Sequence, residues 1–299
     1  MNLLQLTQQL SLELGLQSPN AVATSSDPQI LQMYAIANRV GRELVEEFQW
    51  EELDKEGLIT TVVTTLTGTT TQGSAVITGI SSTAGLTTNY GVAGVGIMPF
   101  AMIQSVDSAT QVTMNMPATA SGTVSLSFAQ VLYPLPSDWF YQIPQTEWDR
   151  TNRWPLNGPK SSQEWQNFKS GIVYAGPRLR FRIRNNSIEL NPVPTASGVL
   201  AYEYVSNAWA VPVTGANKTS MTLDTDSPIF RDSLFVAAMK LRWLQTKGFD
   251  YVYALSDYNR LLDQAKAQNK SAPKLWLSQD YSSVLLSNQS IKDGTWPAN

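Results

Sequence analysis

The sequence predicts an α+β fold: a helical bundle drawn from the N- and C-terminal helices, a central β-rich part, and a small inserted β-domain. Three observations predict it. Apolar residues recur at helical spacing of three and four only within residues 1–57 and 213–270. The middle alternates apolar and polar residues between Gly-containing turns. Within the middle, residues 58–130 are rich in Thr, Ser, Gly and Val and hold Asp107 as their one charged residue. The expected division is 1–57 for the N-terminal helices, 58–130 for the insert, 131–212 for a Pro/Trp-rich β-part, 213–270 for a C-terminal helix pair and 271–299 for an extended tail.

Leu3, Leu6, Leu10 and Leu14 mark a short amphipathic helix that Gly15 closes. Asp27-Pro28 starts the next, with a capping side chain before a residue that needs no donor. Ile30, Tyr34, Ala37, Leu44 and Phe48 form its apolar face, and Arg39, Arg42, Glu43, Glu46 and Glu47 its polar one. In the insert, SAVITGI, MIQSVD, TQVTMNM and TVSLSFA read as short strands. Beyond Tyr133 the chain is dense in Pro and Trp, with Trp139, Trp148, Trp154 and Trp165, which are expected to act as packing units rather than as a platform for bases. Strands follow at 178–184, 187–191 and 199–206, the first two joined by an Asn185-Asn186 hairpin turn. Ser227-Pro228 is expected to start a helix with Leu234, Phe235, Ala238, Leu241 and Leu244 inward and Gly248 at its end. A last helix carries Tyr251, Leu255, Tyr258, Leu262 and Ala265 on one face.

Charged residues make up 15% of the chain, against roughly a quarter in an average soluble protein. The net charge of −3 creates no field that recruits nucleic acid or an anionic membrane. Cys and His are both absent, which excludes disulfides, thiolate nucleophiles, Cys/His zinc sites and imidazole bases. The N-terminus lacks the basic start of a signal peptide, and no apolar run is long enough for a membrane span. No catalytic residue, cofactor, metal or membrane partner is expected.

Arg178, Arg180, Arg182 and Arg184 alternate with Leu179, Phe181 and Ile183, so a strand sends the arginines to one face and the apolar residues to the core. Such a stripe suits either phosphate or acids across strands and subunits. Glu189 and Glu203, with the negative net charge, favour the second reading. The acid pairs Glu46-Glu47, Glu51-Glu52 and Asp224/Asp226 are expected to be solvated surface rather than facing acids across a cleft. Gly91, Gly94 and Gly96 lack the Lys and Ser/Thr that a phosphate loop requires.

Two stretches resemble known phage proteins. GSAVITGI, the Gly-x-Gly-Ile turn at 94–97, SVDSATQVT and ATASGT, within 68–128, are similar to a β-module found in several phage structural proteins. LPSDW, EWDRTNRWPL-GP, EWQNFKSG and NPVPT…YEYVSNAW, within 133–211, resemble head-to-tail adaptors of the tail-tubular-protein-A kind. That resemblance implies a non-enzymatic virion protein at the head–tail interface, made in the host cytoplasm. It implies a homo-oligomeric ring of about twelve copies that joins the portal to the tail and forms part of the DNA channel. The implied partners are the portal protein, a tail nozzle or tail tube protein, tail fibres, and genomic DNA in transient, nonspecific contact. Trp276, Tyr281, Leu285, Leu286 and Trp296 lack regular spacing and are expected to dock the tail on the portal. The alternative is a tail-fibre or receptor-binding component that uses the insert as an adhesin.

Overall fold

Two capped helices open the chain, whose computed structural model describes residues 1–169 and 178–269. Helix α1 (Leu3–Glu13) starts at Asn2. The Asn2 side chain accepts from the Gln5 N–H, and the Gln5 side chain accepts from the Asn2 N–H. Leu3, Leu6 and Leu10 are fully buried, each contributing roughly 1.5–3 kcal/mol by burial. Helix α2 (Pro28–Glu47) starts where the sequence places it, with Asp27 accepting from the Gln29 N–H. A single 3-10 turn, Glu51–Leu53, leads into the first strand.

The strands follow in order: β1 (Asp54–Thr61), β2 (Val63–Thr70), β3 (Val76–Ile77), β4 (Tyr90–Gly94), β5 (Ile103–Ser108), β6 (Gln111–Met114) and β7 (Gly122–Gln130). Next come β8 (Leu132–Pro134), β9 (Trp139–Gln142), β10 (Trp148–Asp149) and β11 (Trp154–Pro155), then helix α3 (Ser162–Lys169). After it lie β12 (Arg180–Arg184), β13 (Ser187–Asn191), β14 (Gly198–Ser206), β15 (Ala210–Val211) and β16 (Ser227–Pro228). Helices α4 (Asp232–Lys247) and α5 (Val252–Asn269) complete the described residues. The class is mixed helix and strand, with five helices and several small antiparallel sheets among the described residues and no barrel.

Strand β14 is the hub. It pairs with β1 over eight consecutive residues on one side and with β9 and β10 on the other. Its alternate residues serve different cores. Leu200, Tyr202 and Tyr204 pack with Phe181, Ile188 and Leu190 of the β12-β13-β8 sheet, whereas Val205 joins the core built by α1, α2, α4 and α5. Strands β2–β7 enclose a separate core around Ile77, Ile103, Val112, Leu126 and Phe128.

Several sequence expectations are corrected. The division at residue 58 falls inside β1, whose register Leu58↔Ala201 binds it to the central sheet. Ser227-Pro228 does not start a helix: the pair forms β16 against Ala210 and Val211, and α4 begins at Asp232. The stripe assigned to α4 is too narrow, because Val236, Ala237, Met239 and Trp243 are also buried. Helix α5 is the reverse case. Leu262 and Ala265 are buried, but Tyr251 and Leu255 on the same predicted face are exposed. SAVITGI contributes only Val76–Ile77 as strand, and β1, β2, β4 and α3 have no counterpart among the elements expected.

Candidate functional site

The arginine strand is the first candidate, and its hairpin forms as the sequence indicates. Asn185 and Asn186 take φ of 50° and 54°, the left-handed pair that a two-residue connection needs. Phe181 enters the inter-sheet core and Arg180 and Arg182 leave by the opposite face. That face is not an open band. Helix α3 lies over it, with the Arg182 guanidinium 4.6 Å from the Trp165 ring centre and that of Arg180 4.5 Å from the Phe168 ring centre. Arg180 and Arg182 are thereby buried, and only Arg178 and Arg184 remain exposed. Strand β12 itself begins at Arg180, so Arg178 precedes it.

The expected acid partner is half right. Arg182 faces Glu189 in the β12–β13 register, and its Nε donates to Glu189 Oε2 at 2.6 Å. Glu203 lies in another sheet, opposite Glu56 on β1, and does not reach the arginines. Helix α3 is held by Ser161 and Glu164. The Ser161 hydroxyl accepts from the Glu164 N–H, and the Glu164 carboxylate accepts from the Ser161 N–H. Phe100, from the loop after β4, meets Trp165 edge-on with centroids 5.6 Å apart. A Ser-x-x-Glu box followed by aromatics three apart (Trp165, Phe168) was the signal for this cover.

The second candidate is the solvent side of the central sheet. Glu56, Leu58 and Thr60 of β1 point outward, beside Ala201 and Glu203 of β14 and Trp148 of β10. Of these, Glu56, Trp148, Ala201 and Glu203 line an open groove of about 540 Å3 together with Asp149, Arg150 and Arg153. Arg150 pairs with Glu56, which relieves the two carboxylates placed directly opposite each other. Trp148 therefore stands at a surface, unlike Trp165, which is fully buried, and Trp139, which stacks on Tyr204 with centroids 5.2 Å apart.

Four further acids are buried or partly buried. Asp138 accepts from Lys55 Nζ at 2.6 Å, Ser206 Oγ at 2.7 Å and the Tyr204 hydroxyl at 3.0 Å. Burial raises its pKa, but these donors outweigh burial and hold the carboxyl below its ordinary range. Asp226 is not solvated surface as expected. It is fully buried, and it accepts from Lys218 and from the Thr222 and Leu223 N–H groups, which overcome burial and lower its pKa. Asp224 likewise accepts from the Val22 and Ala23 N–H groups. Glu147 is the opposite case: burial raises its pKa, and its Oε1 has no hydrogen-bond partner among the described residues.

Among the described residues no group of acids is placed to hold a metal ion, and no helix is long and apolar enough to cross a membrane. Trp276, Tyr281, Leu285, Leu286 and Trp296 lie outside the described residues. Comparison with known proteins finds no family model and no curated relative that matches the chain. What the surfaces offer chemically is ion pairing and aromatic packing.

Proposed function

We propose that this chain is a non-enzymatic structural subunit of a tailed-bacteriophage virion, an adaptor ring that joins the portal to the tail and forms part of the DNA channel. The fold in this reading is a helical bundle from both ends of the chain, with a β-part below it and an inserted β-domain at 63–130. The observation that carries the proposal is the two-sided strand β14, which ties a helical core and a sheet core into one subunit. A subunit of that build offers helices to one neighbour along an axis and strands to the other. Two of its ion pairs are turned inward: Arg182 on Glu189 and Lys218 on Asp226. The partners proposed are further copies of the chain in a ring of about twelve, the portal, a tail nozzle or tail tube protein, tail fibres, and passing DNA.

Electron microscopy of the purified full chain, alone and mixed with its portal, tests this. Closed rings seated on the portal are expected. Localisation confined to fibre tips in the virion would overturn it in favour of the adhesin reading. That second reading has its own support in the separate core of β2–β7 and the exposed Val95 and Val106 at its surface.

A further inference from the structure

Strands β9 and β10 lie end to end along one edge of β14, and between them that edge is broken. Gln142 closes β9 opposite Tyr204, and Trp148 opens β10 opposite Ala201. The link 143–147 leaves the strand line there, turned by Gln145 at φ 66°. It still meets the groups that β14 presents. The Ile143 N–H donates to the Glu203 carbonyl at 3.0 Å, and the Thr146 hydroxyl accepts from the Glu203 N–H at 3.0 Å. The break is thus closed along the backbone of β14. What it leaves open lies on the core face.

Residues paired across a ladder share a face, so Gln142 turns inward with Tyr204, and Asp149 with Leu200. Glu147, two residues before Asp149, takes the same face and is 5% exposed. Asp149 is supplied on both oxygens by Asn152. Glu147 is not: its Oε1 has no hydrogen-bond partner among the described residues, and neither has Nε2 of Gln142. Both side chains line one cavity between the two sheets of the β-part, with Ile59, Leu156, Ile188 and Leu200 among its apolar walls. The space left there is about 10 Å3, the room of a single water molecule.

The chemistry of the two atoms selects the occupant. An amide N–H donates and a carboxylate oxygen accepts. A cation would be opposed by the N–H, an anion by the carboxylate, and an apolar group would satisfy neither. Water accepts from the one and donates to the other, and buried waters serve such otherwise unpaired groups. We infer that this cavity holds one internal water, which accepts from Gln142 Nε2 and donates to Glu147 Oε1. The water joins the two ends of the link 143–147 and closes, on the core side, the edge that Thr146 closes along the backbone. This inference stands apart from the ring reading.

Water-selective NMR of the isotope-labelled full chain tests it. The Gln142 side-chain amide shows a direct cross-relaxation peak to a water of long residence. Relaxation dispersion of water oxygen counts the long-lived internal waters, and the count falls by one in Gln142→Met, with circular dichroism confirming that the variant is folded. Gln142→Met also melts below the parent chain, because removing one end of the bridge strands the other. An amide without a water peak in the parent chain overturns the site, and that measurement needs no variant. An unchanged count in folded Gln142→Met does the same. So does a higher melting temperature for Gln142→Met, which is what removing a merely unpartnered amide would give.

Discussion

The guanidinium of Arg182 is held on two sides, by the Trp165 ring 4.6 Å away and by the Glu189 carboxylate at 2.6 Å. Removing one partner of a buried pair leaves the other charge stranded, which costs about 3–5 kcal/mol. Arg182→Gln should therefore lower stability by about that amount in urea unfolding, and Arg182→Gln with Glu189→Gln by less than the sum of the two. In the assembled particle, Arg180→Gln with Arg182→Gln should impair ring assembly or β-part stability more than DNA retention. Normal assembly with leaking DNA would restore the channel reading.

Asp138 and Asp226 set an acid limit on stability. Their folded pKa values lie below the ordinary 3.8, so their contribution is present above that value and is lost as pH falls through the depressed one. Asp138→Asn should be less stable than the parent chain at neutral pH, and the gap should narrow as pH falls below 3.8. A gap independent of pH in denaturant melts would refute the assignment.

Glu147 acts with the opposite sign. Its folded pKa is raised above the ordinary 4.5, so the stability it supports is complete below that value and declines as pH rises through the folded one. Each unit of upward shift corresponds to about 1.4 kcal/mol lost. Glu147→Gln removes the ionisation, so the variant should gain on the parent chain as pH rises above 4.5. Parallel melting curves for the two chains across that range would count against a buried carboxyl with one oxygen unpartnered.

Gly41 lies mid-way along α2 with its Cα against Trp209, and a Cβ there would stand 2.1 Å from the indole. Alanine favours helix by about 1 kcal/mol over glycine, but overpacking a rigid ring costs about 1–3 kcal/mol. The steric effect wins, and Gly41→Ala should lower the melting temperature. Gly15→Ala meets no neighbouring atom and tests backbone strain alone, at φ 68°.

Deleting residues 271–299 should leave the melting of the remaining chain nearly unchanged and abolish binding to the portal. Co-purification of the shortened chain with portal at full strength would show that Trp276, Tyr281 and Trp296 are not the docking element.

The first two helices and the hairpin were legible because each rests on a local signal: Asp27 before Pro28, leucines at three and four, two asparagines between alternating runs. The start of the insert was not. Leu58 to Thr70 reads as one Thr-rich run, and only the distant partner of each half, β14 for β1 and β7 for β2, tells them apart. Ser227-Pro228 carries a valid helix-start pattern, overridden by pairing with Ala210 and Val211. The burial of Arg180 and Arg182 depends on a helix that ends at Lys169, and alternation along a strand says which face a residue takes, not what covers that face. The groove was invisible for a related reason: its walls come from residue 56 and from stretches within 145–153 and 201–203, joined only by the sheet.

Strand β14 assigns neighbouring residues to different interiors, Tyr204 to the sheet core and Val205 to the helical core. A pairing slip of one residue along β1 would therefore exchange the two populations at once, pushing an aromatic among the helices and a small aliphatic between the sheets. The strand works as a registration mark: the β-part and the helices are either both correctly seated or both wrong.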